Sequence, residues 1–348
     1  MDINVPNPAQ TDVSFLIDNF NSMPYRRLGS SGLQVGNVGL GTWKFGYPET
    51  GDGARVNEKT AFMIFERAIE LGVTFWDTAN RYNMGSGNSE RLIGKWLTSN
   101  PNQRRNVVIA TKVFGGMDGY TPNHCRLGRL NVLESVYASL ERLSCDAIDL
   151  LYFHSYDADT PVEESLEAIE DLVRQDLVRY FAVSNFTVDQ LRLYQAVEKS
   201  ISTRCRVVAV QNQYDILNFE LNQPGVLDYC QKNGISFVAF SPLARGLLTS
   251  RYLEKSSVGP GDRLFDEKTI TKDLTVEKHE QLSQLSDLAR TMGLEVNQLA
   301  LAYMLTLPGM GPVIPASSTV QQLESNAEAG KFMLTEAQRD QVSRIIHR

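Results

Sequence analysis

Short runs of β-branched and aromatic residues alternate along the chain with longer stretches in which apolar residues recur every three or four positions. The first pattern predicts buried strands, and the second predicts amphipathic helices. From Val38 onward the two patterns follow each other at intervals of roughly 30–40 residues, as repeated βα units require. The predicted strands cover residues 38–41, 73–76, 107–111, 147–153, 178–183, 207–210, 236–240 and 313–314.

Several of the helical stretches have recognisable ends. Gly72 is expected to close the first helix, and Pro161 is expected to occupy the first position of the fourth. Thr335 and Gln338 have the spacing of a capping box at the start of a terminal helix. The predicted helices cover residues 60–71, 89–97, 131–143, 187–199, 225–233, 276–292, 296–307, 320–329 and 335–346. One further helix is predicted to begin after Thr160-Pro161. Residues 243–274 are predicted to form a long loop.

The residues before Val38 do not follow this alternation of strands and helices. Residues 1–24 are polar with little periodicity, which predicts an N-terminal arm with a short helix at 13–20. Residues 26–28 and 33–35 flank Gly29-Ser30-Ser31-Gly32, a pattern typical of a β-hairpin. The sequence therefore predicts an arm over 1–24 and one α/β domain over 25–348. That domain is expected to be a (β/α)8 TIM barrel with an N-terminal β-hairpin and an extra C-terminal helix.

A doubly wound sheet would also alternate strands and helices. Such a sheet is expected to carry a Gly-rich phosphate-binding loop after an early strand. Gly39-Leu40-Gly41-Thr42-Trp43-Lys44 lacks the GxGxxG spacing, and no GxxxxGK[ST] motif is present. The barrel is therefore the preferred architecture.

Composition narrows the class of protein. The 348 residues are 42% hydrophobic and 22% charged with a net charge of −7, which is ordinary for a soluble globular protein and argues against nucleic acid as a partner. The four cysteines are widely spaced and form neither a CxxC pair nor a metal-ligand pattern. Neither a signal peptide nor a run of ~18 apolar residues is visible. We expect a cytoplasmic protein that neither enters a membrane nor binds a metal.

Four residues with acid–base chemistry follow the ends of consecutive predicted strands. Asp77, Lys112 and His154 end the second, third and fourth strands, and Tyr82 lies in the second loop. Barrel enzymes place their chemistry at these ends. Each residue alone has a structural explanation, but their convergence favours an active site. Lys112 is expected to lower the pKa of the Tyr82 phenol from about 10, Asp77 to hold Lys112, and His154 to orient a substrate oxygen.

This set and its surroundings resemble the aldo-keto reductase superfamily from about residue 25 to the end of the chain. The phrases at 139–143 and 160–164 are similar to those of bacterial and plant general reductases and of potassium-channel β subunits. The motifs that carry the resemblance are Gly39-Leu40-Gly41-Thr42-Trp43, Asp77-Thr78-Ala79 with Tyr82, Ala110-Thr111-Lys112, Asp149-Leu150 with His154, Ser184-Asn185, Gln211, the run Phe-Ser-Pro-Leu-Ala-Arg-Gly at 240–246, and Ser317-Ser318 with Gln322-Leu323-Glu324-Ser325-Asn326.

The resemblance implies reduction of an aldehyde or ketone to an alcohol with NAD(P)H. It assigns Tyr82 as the general acid, Lys112 and Asp77 as the residues that tune it, His154 as the group that orients the carbonyl, and Trp43 as a substrate contact. The implied cofactor contacts are Thr42 beside the nicotinamide, Ser184, Asn185 and Gln211 on its amide, Phe240 stacked on its ring, Ser241, Leu243 and Gly246 at the pyrophosphate, Ser318 in the loop after strand eight, and Gln322 and Asn326 at the adenine end.

The choice between NADP and NAD depends on where basic residues lie. Residues 313–330 carry none, which favours NAD on charge alone. The loop after strand seven carries Arg245, Arg251 and Arg263, and a guanidinium suits the 2′-phosphate of NADP. We expect NADP, with Arg251 and Arg263 as cofactor contacts and NAD as the alternative.

Two other functions use the same residues. An NAD-dependent sugar or alcohol dehydrogenase would run the reaction in the oxidative direction, with Tyr82 as the base. A cofactor-binding regulatory subunit would need no complete catalytic set, so the presence of all four residues favours an enzyme. The expected partner is a small carbonyl compound. The sequence leaves the oligomeric state open, with a homo-oligomer as one option.

Overall fold

The computed structural model describes residues 18–117, 119–201, 206–253, 258–259 and 262–347. Eight parallel strands follow one another in chain order around a barrel. Single bridges join Val38 to Val313 and Gly41 to Ala316, and so connect the first strand to the last. The predicted TIM barrel is confirmed. Its strands are β4 (Leu40–Gly41), β5 (Phe75–Asp77), β6 (Val108–Val113), β7 (Ile148–Phe153), β8 (Val178–Ser184), β9 (Val207–Gln213), β10 (Ser236–Phe240) and β11 (Met310–Ile314).

Helices follow most of the strands and cover the outside of the barrel. In the described part of the chain these are α1 (Glu58–Glu70), α2 (Tyr82–Gly85), α3 (Asn88–Ser99), α4 (Arg129–Leu143), α5 (Val162–Arg174), α6 (Val188–Ile201), α7 (Val226–Asn233), α8 (Arg263–Asp266), α9 (Ile270–Asp273), α10 (Val276–Thr291), α11 (Val296–Met304), α12 (Val320–Ala329) and α13 (Glu336–Ile346). None of them is both long and apolar enough to cross a membrane.

Of the three helix-end motifs predicted from local sequence, two are confirmed. Gly72 adopts φ +74° after α1, where the Val73 N–H donates to the Ala68 carbonyl as in a Schellman motif. Thr335 and Gln338 form the predicted capping box of α13. Pro161 is the N-cap of α5 rather than its first helical residue, so that prediction is wrong by one position.

Two strands run past their predicted C-terminal ends by two residues or more. β6 continues through Lys112 to Val113, and β9 continues through Gln211 to Gln213. Parallel pairing depends on backbone groups, so a polar side chain with a partner inside the barrel does not end a strand. Both polar residues are therefore delivered from inside regular strands.

A small antiparallel sheet precedes the barrel. Strands β2 (Met23–Arg27) and β3 (Gln34–Gly36) form the predicted hairpin. Strand β1 (Asn19–Phe20) pairs with β2, so the helix predicted at 13–20 is wrong at its end, because these residues hydrogen-bond to a neighbouring strand. The rest of that predicted helix lies outside the described residues. The division of the chain at residue 24 stays a prediction.

The hairpin closes the N-terminal end of the barrel. Leu28 and Val35 join the apolar cluster that fills the barrel interior, together with residues such as Leu150 and Val238. The Arg26 guanidinium donates to the Met310 carbonyl at 2.9 Å at the start of β11. A larger apolar core lies between the strands and the outer helices. The opposite, C-terminal end of the barrel is left for the site.

Candidate active site

A cavity of about 1000 Å³ opens at the C-terminal ends of the strands. All the predicted site residues except Thr42 and Lys112 line it. They are Trp43, Asp77, Tyr82, His154, Ser184, Asn185, Gln211, Phe240, Ser241, Leu243, Gly246, Arg251, Arg263, Ser318, Gln322 and Asn326.

A buried ion pair lies at the floor of this cavity, where Asp77 lines the cavity and Lys112 lies behind it. The Lys112 ammonium donates to both carboxylate oxygens of Asp77, at 2.6 and 2.7 Å, and to the Thr78 carbonyl at 2.9 Å. Asp77 is 3% exposed and Lys112 is 1% exposed. A charge in such a place is expensive unless it is paired and hydrogen-bonded, and here each group satisfies the other. The predicted partnership of Asp77 and Lys112 matches this geometry.

The Tyr82 hydroxyl lies directly against this pair. It accepts a hydrogen bond from Lys112 Nζ at 2.9 Å and donates to Asp77 Oδ1 at 3.2 Å. Burial raises the pKa of Tyr82 well above its usual value, and Asp77 adds to the rise. The predicted net lowering of this pKa is therefore wrong. Although Lys112 Nζ lies 2.9 Å from the hydroxyl, the phenolate would lose water and would face the Asp77 carboxylate at 3.2 Å. Tyr82 keeps its proton at neutral pH and is available as a donor.

The pKa of Lys112 is also shifted by burial and by the Asp77 carboxylate. Burial lowers the pKa of Lys112 from its usual value, and the Asp77 carboxylate opposes that shift. Lys112 does not line the cavity, and its ammonium lies behind the Tyr82 hydroxyl.

His154 faces Tyr82 across the cavity floor. The two rings lie edge to face with their centroids 6.0 Å apart. Burial lowers the pKa of His154 to about 3, and the positive charges of Lys112 and Arg81 add to the shift. The imidazole is therefore neutral at physiological pH and offers one N–H group as a hydrogen-bond donor.

Thr42 does not reach the cavity. It is fully buried, and its hydroxyl bonds to the Asp77 carbonyl at 2.8 Å and to the Ser89 hydroxyl at 2.7 Å. Thr42 thus braces the end of β5 from behind, which departs from the expectation that it lies beside a nicotinamide. A sequence motif shows that a residue is near a site, but not which way its side chain points.

The predicted nicotinamide contacts are connected to one another. The Ser184 hydroxyl donates to the Gln211 carbonyl at 2.7 Å, and the Asn185 amide donates to the His154 carbonyl at 2.9 Å. Gln211 donates from its own amide to Asp77 Oδ2 at 2.7 Å. The strands therefore hold these groups and the ion pair as one network, with Phe240 on the same wall.

The predicted pyrophosphate segment has a strained backbone. Ser241, Ala244 and Arg245 have φ values of +53°, +48° and +60°, and Gly246 has +103°. Such conformations are costly for residues other than glycine and are concentrated at binding sites. Turns of this kind also direct backbone N–H groups toward anions. The segment thus fits a dinucleotide pyrophosphate, as does the size of the cavity.

Sequence reasoning missed two polar residues at the far wall. Glu295 and Asn297, at the start of α11, line the cavity beside the predicted adenine contacts. Asn297 donates to Asn326 Oδ1 at 3.1 Å, and the Ser325 hydroxyl donates to Glu295 at 2.5 Å. Their position depends on how α11 and α12 pack, which no local pattern reveals.

The predicted phosphate ligands already face carboxylates. Arg251 pairs with Asp262, and Arg263 donates to Glu267 at 2.9 Å. The Arg263 guanidinium also lies 4.7 Å above the centre of the Trp43 ring. Burial, with help from nearby arginines, lowers the pKa of Arg263 to about 10. Arg263 therefore lies over the predicted substrate contact.

The sequence also left several cavity residues unassigned. Lys44, Arg55, Arg81 and Phe114 line the same cavity near Trp43 and Tyr82. Arg81 directly precedes the predicted acid, and this adjacency is the signal that could have marked it.

Comparisons with known proteins indicate the family and the fold of this chain. The model of the Aldo/keto reductase family matches residues 37–347. The uncharacterized oxidoreductase YrpG of Bacillus subtilis (strain 168) is 36% identical over 320 residues, which cover 90% of this chain and 92% of the relative. A probable voltage-gated potassium channel subunit beta of Arabidopsis thaliana is 28% identical, over 93% of this chain and 97% of its own. The crystal structure of the thermostable aldo-keto reductase Tm1743 superimposes with a TM-score of 0.72 at 29% identity, covering 93% of this chain and all of that one.

Proposed function

Because this chain belongs to the aldo/keto reductase family, we propose that it reduces an aldehyde or ketone to an alcohol with NADPH, and that Tyr82 is the general acid. The family is the one expected from the motifs, and it makes the protein an NAD(P)H-dependent oxidoreductase. The observation that supports the proposal most strongly is the Tyr82 hydroxyl, placed on the cavity floor 2.9 Å from Lys112 Nζ and opposite His154.

Asp77, Tyr82, Lys112 and His154 have different roles in the reduction of the carbonyl group. The neutral His154 imidazole donates a hydrogen bond to the carbonyl oxygen and holds it toward Tyr82. When bound, the cofactor supplies the hydride that reduces the carbonyl carbon. As negative charge develops on the oxygen, Tyr82 transfers its proton to it, and the C–O–H group of the alcohol is complete. The phenolate left on Tyr82 is stabilised by Lys112, which Asp77 keeps in place.

The raised pKa of Tyr82 suits this direction of reaction. A phenol that holds its proton at neutral pH is in the correct state before the substrate binds. A substrate oxygen that carries developing charge is a far stronger base than a ketone, so proton transfer from Tyr82 becomes favourable only as that charge develops. Lys112 then stabilises the product phenolate more than it stabilises the starting phenol.

NADP is the proposed cofactor. Arg251 and Arg263 line the cavity within the loop after β10, and both can form bidentate bonds to a phosphate monoester. Asp262 and Glu267 now occupy these guanidinium groups and would have to share them with the phosphate.

A dehydrogenase that uses NAD is the second candidate, and Glu295 favours it. This carboxylate lines the wall near the predicted adenine contacts, where it would accept a hydrogen bond from a ribose hydroxyl and repel a 2′-phosphate. The same four residues would then act in reverse, with Tyr82 as the base.

The test is an assay of the purified protein with NADPH and with NADH against aldehydes and ketones, with the alcohol identified as product. We expect alcohol formation in step with NADPH consumption. Negligible turnover across the set, with tight cofactor binding, would instead indicate a regulatory subunit. Faster oxidation of alcohols with NAD would favour the dehydrogenase.

The three described cysteines, Cys125, Cys145 and Cys230, are free thiols. Disulfides are rare in the reducing cytosol, so these free thiols support the proposed cytoplasmic location of the enzyme. Cys205 lies outside the described residues.

A further inference from the structure

The Arg81 side chain is held over the loop that follows β6. A Cβ atom on Gly115 would lie 2.3 Å from Arg81 Cδ and 2.6 Å from one of its guanidinium nitrogens. A side chain at position 115 would have to displace the flexible end of Arg81, so Gly115 leaves this space to the guanidinium. Both residues line the cavity, so this packing places the guanidinium at its edge.

Arg81 differs from the other arginines of this cavity in its partners. Within the described residues its side chain has neither a hydrogen bond nor an ion pair, and it is exposed. The other cavity arginines all face carboxylates: Arg55 pairs with Asp266, Arg245 with Glu267 and Asp273, Arg251 with Asp262, and Arg263 with Glu267. The donors of Arg81 are therefore available to a ligand.

This guanidinium lies close to the reacting group. Arg81 directly precedes Tyr82, and its charge contributes to the low pKa of His154. Tyr82 and His154 are the two residues proposed to hold the carbonyl oxygen. All three residues line one cavity, so a substituent of a carbonyl compound bound between Tyr82 and His154 would lie in the same cavity as Arg81.

The charge of the cavity wall differs from that of the whole protein. The chain carries a net charge of −7, yet the side chains along the cavity include Lys44 and five arginines against the carboxylates of Asp77 and Glu295. Carboxylates that do not line the cavity already pair with four of these arginines, whereas Arg81 has no such partner within the described residues. Arg81, beside the substrate contacts rather than in the loop after β10, is placed to bind a second anion.

We infer that Arg81 determines substrate specificity by binding an anionic group of the carbonyl substrate. The group is a carboxylate or a phosphate ester, since both match the planar fork of a guanidinium. The inference depends on the proposed reductase function and adds the class of substrate to it.

Two matched pairs of aldehydes test the inference. In the carboxylate pair, para-carboxybenzaldehyde is compared with its neutral amide, para-carbamoylbenzaldehyde. In the phosphate pair, glyceraldehyde 3-phosphate is compared with glyceraldehyde. The measured quantity is the ratio of kcat/KM for the anionic member to that for the neutral member, so a general loss of active enzyme cancels.

We expect the wild-type enzyme to prefer the anionic member of at least one pair, which identifies the group that is bound. Arg81→Gln should reduce that ratio by about 10–100-fold, as expected for one charge-assisted hydrogen-bonded pair. Arg81→Lys should retain part of the preference, since it keeps the charge but not the fork.

Arg55→Gln is the matched control, because Arg55 lines the same cavity but already pairs with Asp266 at 2.9 Å. Its ratio should stay within about twofold of the wild type, below the effect of one hydrogen bond to a charged group. An equal fall in Arg55→Gln would overturn the inference, because the preference would then come from the whole basic wall. Wild-type turnover of both pairs with no preference would also overturn it, while leaving the reductase function intact. Failure to reduce any of these aldehydes or other carbonyl compounds would reject both.

Discussion

Single substitutions of Asp77 or Lys112 are expected to have large effects. Two opposite charges are almost completely buried 2.6 Å apart, and a tyrosine hydroxyl bonds to both. Burying such a pair contributes little to stability, whereas removing one partner leaves a charge without compensation. We therefore propose that the Asp77–Lys112 pair sets the electrostatic potential at the Tyr82 hydroxyl.

Replacing Lys112 with Met should lower both stability and activity. We expect a loss of about 3–5 kcal/mol in the free energy of unfolding, because Asp77 is left buried and unpaired. Turnover should fall by roughly 10²–10⁴-fold, since the Tyr82 phenolate loses its stabilising charge. Urea unfolding and steady-state rates measure the two effects.

Lys95 provides the control for this substitution. Its ammonium pairs with Glu58 at 2.6 Å, but its side chain is 56% exposed. Lys95→Met should cost no more than ~1 kcal/mol, as is usual for an exposed pair. Similar losses at the two positions would show that the buried pair has no special role.

His154 should make stability depend on pH in a defined direction. Its pKa is about 3 in the folded protein, while an unfolded histidine titrates near about 6.5. As pH falls from about 6.5 toward 3, the unfolded chain takes up a proton that the folded protein does not, so the folded state loses stability. The loss approaches ~1.4 kcal/mol per pH unit at most.

The measurement is a comparison of the wild type with His154→Gln by urea unfolding at pH 7.5, 6 and 5. The stability advantage of the wild type over the variant should shrink as the pH falls. A constant difference across this range would show that His154 titrates normally and is not held neutral by burial.

The sequence predicted which residues meet at the site better than it predicted their pKa values and the orientation of their side chains. Asp77, Lys112 and His154 could be located because apolar runs mark the strand ends that carry them. The rise in the Tyr82 pKa could not be predicted, because it depends on burial and on the Asp77 carboxylate beside the phenol. The orientation of Thr42 and the packing of Arg81 against Gly115 also require tertiary contacts.

Among the elements, strand ends and helix caps follow local rules and were largely predictable. The excess length of β6 and β9 was not, because Lys112 and Gln211 interrupt the apolar pattern without interrupting the backbone pairing. The segment between β10 and α10 also differs from its pattern. Its Gly, Pro and Ser residues predict a loop, but the short helices α8 and α9 form within it, supported by contacts such as that of Arg263 with Trp43.

The turn after α1 tests how the N-terminal strands attach to the barrel. Gly72 has φ +74°, and a Cβ atom there would lie 2.1 Å from the Phe20 carbonyl oxygen. Gly51 has the same φ, but nothing lies within 4 Å of its Cβ position. Gly51→Ala should therefore cost about 1–2 kcal/mol for backbone strain alone. Gly72→Ala should cost about 1–3 kcal/mol more, because Phe20 must move.

Chemical denaturation of both variants provides the comparison. Equal losses would mean that strand β1 does not pack against this turn in solution.

For the whole molecule, the repeat of strand and helix was sufficient to predict the barrel. Eight units, each with a short apolar run and an amphipathic stretch, leave few other ways to bury both faces of every strand. The pairing of β1 with β2 was not predictable, because so short a strand carries no periodicity of its own. The preference between NADPH and NADH is also a property of the whole molecule, since it depends on charges that distant elements contribute to one cavity.

Arg251 should control the preference for NADPH over NADH. We expect the wild type to bind NADPH about 10-fold or more tightly, and Arg251→Gln to remove most of that difference, because one charge-assisted bond to a phosphate is lost. Dissociation constants from fluorescence titration measure it. Arg192→Gln, an exposed residue on α6 that pairs with Asp189, should leave the ratio unchanged. Equal affinity of the wild type for the two cofactors would favour NAD.

The most direct test of the account is the rate of a single turnover in Tyr82→Phe with NADPH already bound. Tyr152→Phe is the matched control, since the centre of the Tyr152 ring lies 5.6 Å from Lys112 Nζ but its side chain does not line the cavity. We predict that Tyr82→Phe slows carbonyl reduction by about 10²–10⁴-fold while NADPH affinity changes little. Tyr152→Phe should retain most of the wild-type rate. An undiminished rate in Tyr82→Phe would show that the proton comes from elsewhere and would contradict the proposed mechanism.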